Sequence, residues 1–176
     1  MKEKTLKIDQ VYKGRIFTIN RHTIKLPGGR KTTRDIVKHP GAVSMVPVLD
    51  DGRIVLVKQY RKAVEKELYE IPAGTREKGE SLTACVKREL HEETGYIPGS
   101  VKHLMSYYPA PGYTSEKIHI YICRKFTKRQ ACPEEDENIR VTIMKPGKIY
   151  QMIKDGRITD GKTIIAMLYI KDILCP

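Results

Sequence analysis

The chain of 176 residues holds 33 Lys and Arg against 21 Asp and Glu, so 33 − 21 gives a formal charge of +12, with 40% hydrophobic and 31% charged residues. That is globular composition, long enough for one domain to bury a core without disulfides or a structural metal. Low-complexity and membrane-spanning classes are excluded: Met1 to Thr5 leads into no apolar stretch long enough for a signal or a span, and a cytoplasmic protein is expected. Cys85, Cys123, Cys132 and Cys175 form no C-x-x-C pair and have no histidine cluster beside them, which argues against zinc and for reduced thiols. The positive balance steers anionic partners, phosphorylated metabolites and nucleic acid alike. With no arginine-rich run and no RNP-like aromatic motif, nucleic acid is disfavoured, and a solvated basic surface is the plain alternative.

Taken in order, Leu6, Ile8 and Val11, then residues 15–19, then residues 22–26 read as strand segments, the last two with clear alternation. Pro27-Gly28-Gly29 is a turn, residues 32–37 resume as strand, and His39-Pro40-Gly41 closes this portion. Residues 42–49 are almost all apolar and suit a buried strand, joined through Asp50-Asp51-Gly52 to a strand over 53–60. Further strands are expected around 101–108, 117–126 and 139–143. Helices are expected over 81–93, over 148–154 ending at Gly156, and over 163–174 with Asp160 as N-cap. Strands interleaved with a few helices predict an α/β (α+β) fold around a mixed sheet.

Between residues 74 and 96 the chain gathers acid against its own charge: Gly74, Glu80, Arg88-Glu89-Leu90, Glu92-Glu93, Gly95, Tyr96. Leu82, Val86 and Leu90 share one helix face, and Glu89, Glu92 and Glu93 project within an arc of about 100° beside it. Carboxylates so close raise one another's pKa, and a cation removes that penalty. Hard oxygen donors suit Mg²⁺, with Mn²⁺ as the other candidate. For a bare E-x-x-E-E, a solvated acidic face pairing with Lys87 and Arg88 would be the better reading. The two framing glycines, Glu80 and Arg88 at fixed distances tip the balance toward metal. Arg88 is placed as the residue whose fork orients the carboxylates.

This spacing matches G-x5-E-x7-R-E-U-x-E-E-x-G-U, the signature of the Nudix hydrolases, departing only at Tyr96 in the last aliphatic place. The resemblance covers roughly residues 30–145 and is nearest to the ADP-ribose pyrophosphatase branch, in which a proline follows the second glycine by sixteen residues, here Pro111. It implies a Nudix fold, a mixed sheet sandwiched between helices. It further implies residues 1–39 as an N-terminal antiparallel extension used for homodimerisation, with the catalytic domain over 40–176. The implied reaction is Mg²⁺-dependent hydrolysis of the diphosphate bond of ADP-ribose, giving AMP and ribose 5-phosphate.

Carried over by position, the resemblance gives Glu89 and Glu93 as principal metal ligands, Glu92 assisting, and the Ala73 carbonyl as a further ligand. It places a general base at Glu135 and another metal contact at Glu137, in a run of acids that permits a slip of one residue. Arg34, Arg61, Glu70, Pro111 and Glu116 fall at positions that hold the substrate. His91 sits at an unconstrained position and is expected to be exposed. His39, His91 and His119 are given no catalytic role. The alternatives are a Nudix hydrolase of another nucleoside diphosphate sugar, a dinucleotide or capped RNA, and a non-hydrolytic ADP-ribose-binding module.

Overall fold

The computed structural model describes residues 2–133 and 138–174, and the chain divides into two compact units, residues 1–42 with 106–118 and residues 43–105 with 119–176. In the first unit, β1 (Lys4–Lys13), β2 (Thr18–Lys25) and β3 (Lys31–Lys38) form an antiparallel sheet in that order. The segments expected at 15–19 and 22–26 yield one strand, because Gly14 and Phe17 close a turn through the Gly14 N–H to the Phe17 carbonyl at 2.9 Å. The register is pinned by Arg21 opposite Asp35, whose side chains meet in a fork of 2.8 and 2.9 Å. Residues 113–115 are laid along Val37, which donates to the Tyr113 carbonyl at 2.8 Å and accepts from the Ser115 N–H at 2.9 Å. Ile24 is buried in this sheet, whereas Leu6, Ile8, Val11 and Tyr12 on β1 are exposed.

The second unit carries two sheets, with strand orders β10-β5-β6 and β7-β4-β9-β8. Their strands are β4 (Ala42–Pro47), β5 (Ile54–Arg61), β6 (Lys66–Glu70), β7 (Ala73–Thr75), β8 (Tyr96–Tyr107), β9 (Ile118–Lys128) and β10 (Ile139–Met144). Ile54, Val55, Leu56 and Val57 are all fully buried, so β5 is covered on both faces, as its unbroken apolar run requires. The strands β6 and β7 are additions to the sequence reading. Both are short, and β6 opens on exposed Lys66 and Glu67, so neither shows an apolar alternation.

Helix α1 (Leu82–Thr94) starts where the Ser81 side chain accepts the Ala84 N–H at 3.1 Å. It ends at Gly95, in the left-handed region at φ 76°. A Cβ there would stand 2.4 Å from the Arg129 carbonyl oxygen, so both backbone angle and space demand glycine. The face with Cys85, Val86 and Leu90 is fully buried against Val43, Met45, Val55, Tyr121 and Cys123. Burying a leucine or valine this way stabilises by roughly 1.5–3 kcal/mol. Tyr96, the one departure from the motif, is 8% exposed and meets the Phe126 ring edge-on at 5.5 Å, so an aromatic fills the aliphatic place.

Helices α2 (Pro146–Lys154), α3 (Gly161–Tyr169) and α4 (Lys171–Leu174) follow. Asp160 caps α3 as expected, accepting from the Thr163 N–H at 2.9 Å. The single helix expected over 163–174 is interrupted at Ile170, whose fully buried side chain sits at the C-cap of α3. No helix among the described residues is long and apolar enough to cross a membrane.

Candidate active site

Strand β7, the loop before α1 and the second half of α1 bring the motif residues of the second unit together. Gly74 is the closest approach: a Cβ there would lie 1.8 Å from the carboxyl carbon of Glu89. The side chain of Glu89 therefore occupies the space over the Gly74 backbone, and packing alone requires glycine there. One residue earlier, the Ala73 N–H donates to Glu93 Oε2 at 3.3 Å. Glu93, 4% exposed, and Glu89, 13% exposed in its side chain, thus converge on the Ala73-Gly74 step from one helix, four residues apart.

Arg88 sits among the other acids. Its Nε and Nη2 fork onto Glu80 at 2.9 and 3.0 Å, its Nη1 reaches Glu92 at 2.9 Å and Glu89 at 3.0 Å, and Nη2 also donates to the Thr75 carbonyl at 3.3 Å. One guanidinium thereby ties the loop, the helix and β7 together. The Arg88 fork, helped by the Glu77 N–H, holds the Glu80 carboxyl down at about 2, and Glu80 in turn raises Arg88 above its ordinary value. Glu80 is thus part of the frame for Arg88, a role its place in the motif alone does not specify. Beneath them Cys85 is fully buried, and burial with the neighbouring Glu80 and Glu89 charges pushes its thiol up to about 12.

The three carboxylates that helix spacing puts within one arc of α1 have different neighbours in the structure. Among the described residues no three acidic, histidine or cysteine side chains are close enough together to hold a metal ion as they stand. Arg88 Nη1 reaches both Glu92 and Glu89, and Glu89 and Glu93 lie at the Ala73-Gly74 step of β7. That pair fits a hard divalent cation in donor chemistry, two carboxylates beside main-chain carbonyls, with Gly74 leaving room for them. Glu135 and Glu137 lie outside the described residues. The chain just before them is anchored to the end of α1, the Arg129 N–H donating to the Gly95 carbonyl at 2.8 Å and the Cys132 N–H to the Glu92 carbonyl at 3.0 Å.

Arg61, at the end of β5, and Glu70, at the end of β6, pair with each other: Nε and Nη2 meet the two Glu70 oxygens at 2.7 Å each. Glu70 is 1% exposed, so burial pushes its carboxyl up, but Arg61 and Lys162 together bring it below its ordinary value. Lys162, which sequence reasoning missed, lies 92 residues from Glu70 and carries no motif of its own. Arg61 is raised chiefly by the hydrogen-bonded Glu70, with Glu93 and Asp160 adding to it. The remaining expected residues belong to the first unit. Arg34 is exposed on β3 and paired with Glu3 at 2.9 Å, Pro111 is exposed, and Glu116 lies 4.0 Å from His39 Nδ1. Contrary to expectation His91 is half-buried, because it lies on α1 one turn before Gly95, and its Nε2 is enclosed without a hydrogen-bond partner.

Comparison with known proteins places the chain among relatives. Residues 38–166 match the family model described as NUDIX domain. The chain is 40% identical over 171 residues to a methanol dehydrogenase activator of Bacillus methanolicus, spanning 96% of this chain and 92% of that protein. It is 34% identical over 175 residues to an ADP-ribose pyrophosphatase of Bacillus subtilis strain 168, spanning 97% and 94%. A crystal structure of an ADP compounds hydrolase superposes with a TM-score of 0.87 over 99% of this chain and 95% of that one at 21% identity, which shows a shared fold.

Proposed function

The chain belongs to the Nudix family and is a Nudix pyrophosphohydrolase, and on that premise we propose that it hydrolyses the diphosphate bond of ADP-ribose to AMP and ribose 5-phosphate. The observation that carries the chemistry is the convergence of Glu89 and Glu93 on the Ala73-Gly74 step, beside an Arg88 that holds Glu80 and Glu92. The relative named ADP-ribose pyrophosphatase and the Pro111 spacing support the choice of substrate.

In this reading Glu89 and Glu93 hold Mg²⁺, or Mn²⁺, with Glu92, the Ala73 carbonyl and Glu137 assisting. When bound, the cation supplies charge neutralisation on the diphosphate oxygens. The protein's own groups do the rest. Glu135 accepts a proton from the attacking water, whose oxygen forms a new bond to one phosphorus as the bridging oxygen leaves. Arg61 stabilises negative charge on the phosphoryl oxygens, and Arg88 fixes the acids in place. The resemblance further assigns substrate contacts to Glu70 in the second unit and to Arg34, Pro111 and Glu116 in the first. The test is a panel of ADP-ribose, GDP-mannose, diadenosine polyphosphate and capped RNA with Mg²⁺ and Mn²⁺, products identified by mass. ADP-ribose should give the highest kcat/KM, and preference for any other member overturns the assignment.

The reading includes a homodimer formed through the first unit's sheet, supported by the exposed Leu6, Ile8, Val11 and Tyr12 of β1. Light scattering should return twice the chain mass. A cytoplasmic setting is supported by the free thiols of Cys85, Cys123 and Cys132. A second reading comes from the relative named as a methanol dehydrogenase activator. Here the chain would act on a dehydrogenase as partner, and a rise in alcohol oxidation rate on adding the chain to such an enzyme would support it.

A further inference from the structure

Two cations, Arg61 and Lys162, converge on one buried carboxylate, and the second of them is shared with Asp160. Glu70 is 1% exposed and takes both forked nitrogens of Arg61 together with the ammonium of Lys162. Lys162 also donates to Asp160 at 2.9 Å, and Asp160 accepts from the Thr163 N–H at 2.9 Å and the Thr163 hydroxyl at 2.6 Å. The Thr163 hydroxyl oxygen accepts the Ile71 N–H at 2.8 Å, so the start of α3 is locked onto the residue following Glu70. Exposure separates the two cations. The Lys162 side chain is 12% exposed and that of Arg61 43%, so Lys162 is enclosed while Arg61 faces solvent. Arg61 also lies within electrostatic reach of Glu93.

Were Arg61 the sole partner of Glu70, turning toward an incoming anion would strand a buried charge, which is strongly unfavourable. With Lys162 held in place by Asp160, Glu70 keeps a hydrogen-bonded cation whichever way the guanidinium turns. We infer that Lys162 is a positioning residue that allows Arg61 to share its guanidinium between Glu70 and the diphosphate of the substrate. The inference rests on the diphosphate-hydrolase reading, and Lys162 does not itself touch the substrate.

The experiment is a double-mutant cycle of Arg61→Ala and Lys162→Met, with kcat and KM for ADP-ribose and Tm for every variant. A second arm measures inorganic pyrophosphate binding in EDTA by calorimetry. Arg61→Ala should lower kcat/KM by about 100-fold and Lys162→Met by roughly 10-fold, mostly through KM. In the Arg61→Ala background, Lys162→Met should cost less than about 2-fold, because its effect passes through Arg61. Lys162→Arg should retain activity within about 3-fold. Equal losses in both backgrounds, or no detectable pyrophosphate binding by the wild type, overturn the inference. If ADP-ribose is not turned over while pyrophosphate binding shows the cycle, the substrate assignment fails and the positioning role stands. Should Lys162→Met not fold, Lys162→Arg decides: a loss as large as that of Arg61→Ala at unchanged Tm overturns the inference.

Discussion

Two arginines of the second unit each collect carboxylates, and they do so for different ends. Arg88 is tied to Glu80, Glu89, Glu92 and the Thr75 carbonyl, with no turn of its guanidinium that keeps those bonds. Among the described residues Arg61 is hydrogen-bonded to one carboxylate, Glu70, which Lys162 also serves. The first arrangement uses its donors to hold three acids and a β7 carbonyl in place, whereas the second leaves a charged fork at the surface with a second cation behind it. A rigid frame and a deployable cation are thus distinguished by how many partners compete for one guanidinium.

The largest expected effect falls on Glu93, which accepts the Ala73 N–H of β7 and lies within electrostatic reach of Arg61. Glu93→Gln keeps an oxygen for the Ala73 N–H while removing the charge. Turnover should fall by about 1,000-fold with the far-ultraviolet spectrum unchanged, whereas turnover near wild type would refute its place in metal binding.

Next comes Gly74→Ala. Its Cβ would collide with the Glu89 carboxyl, so Glu89 must leave its position, and kcat should drop by roughly 100-fold with a Tm loss of only a few degrees. An unaffected kcat would mean that Glu89 is not needed where the structure puts it.

Arg88→Ala tests the frame through pH. Glu80 is held at about 2 against an ordinary 4.5, so its ionised form binds Arg88 and adds stability in full above pH 4.5, lost as pH falls toward 2. The variant should have a lower Tm at pH 7 and a gap from wild type that narrows below pH 4. A gap constant across that window removes the ion pair as its cause. The smallest expected effect is chemical: at pH 8 iodoacetamide should modify exposed Cys132 and leave Cys85 untouched in the native chain, as burial beside the acids pushes its thiol up. Equal labelling of both, read by peptide mass, would contradict the packing drawn under Arg88.

How much of this was readable beforehand follows the same division. The frame around Arg88 is local: Glu89 and Glu92 stand one and four residues away on one helix, and Glu80 is in the loop just before it. Helical periodicity fixes those directions, so the spacing of residues 74–96 is enough to read them. Even here the chain did not disclose that one nitrogen of Arg88 would reach both Glu89 and Glu92. The aromatic at Tyr96 looks like a fault in the motif until Phe126, thirty residues on in another strand, is seen against it.

By itself, then, the sequence determined the helix with its Ser81 and Gly95 ends, the buried strands β4 and β5, and the acidic residues available to a cation. Each depends on periodicities and backbone preferences that act within a few residues. Tertiary structure alone decided that β6 pairs with β5, that Glu70 is interior, and that Lys162 reaches it across 92 residues. Local preferences carry no trace of such meetings. A lysine followed by a threonine reads as surface until α3 docks, and only then does burial turn an ordinary charge into the partner a hidden carboxylate requires.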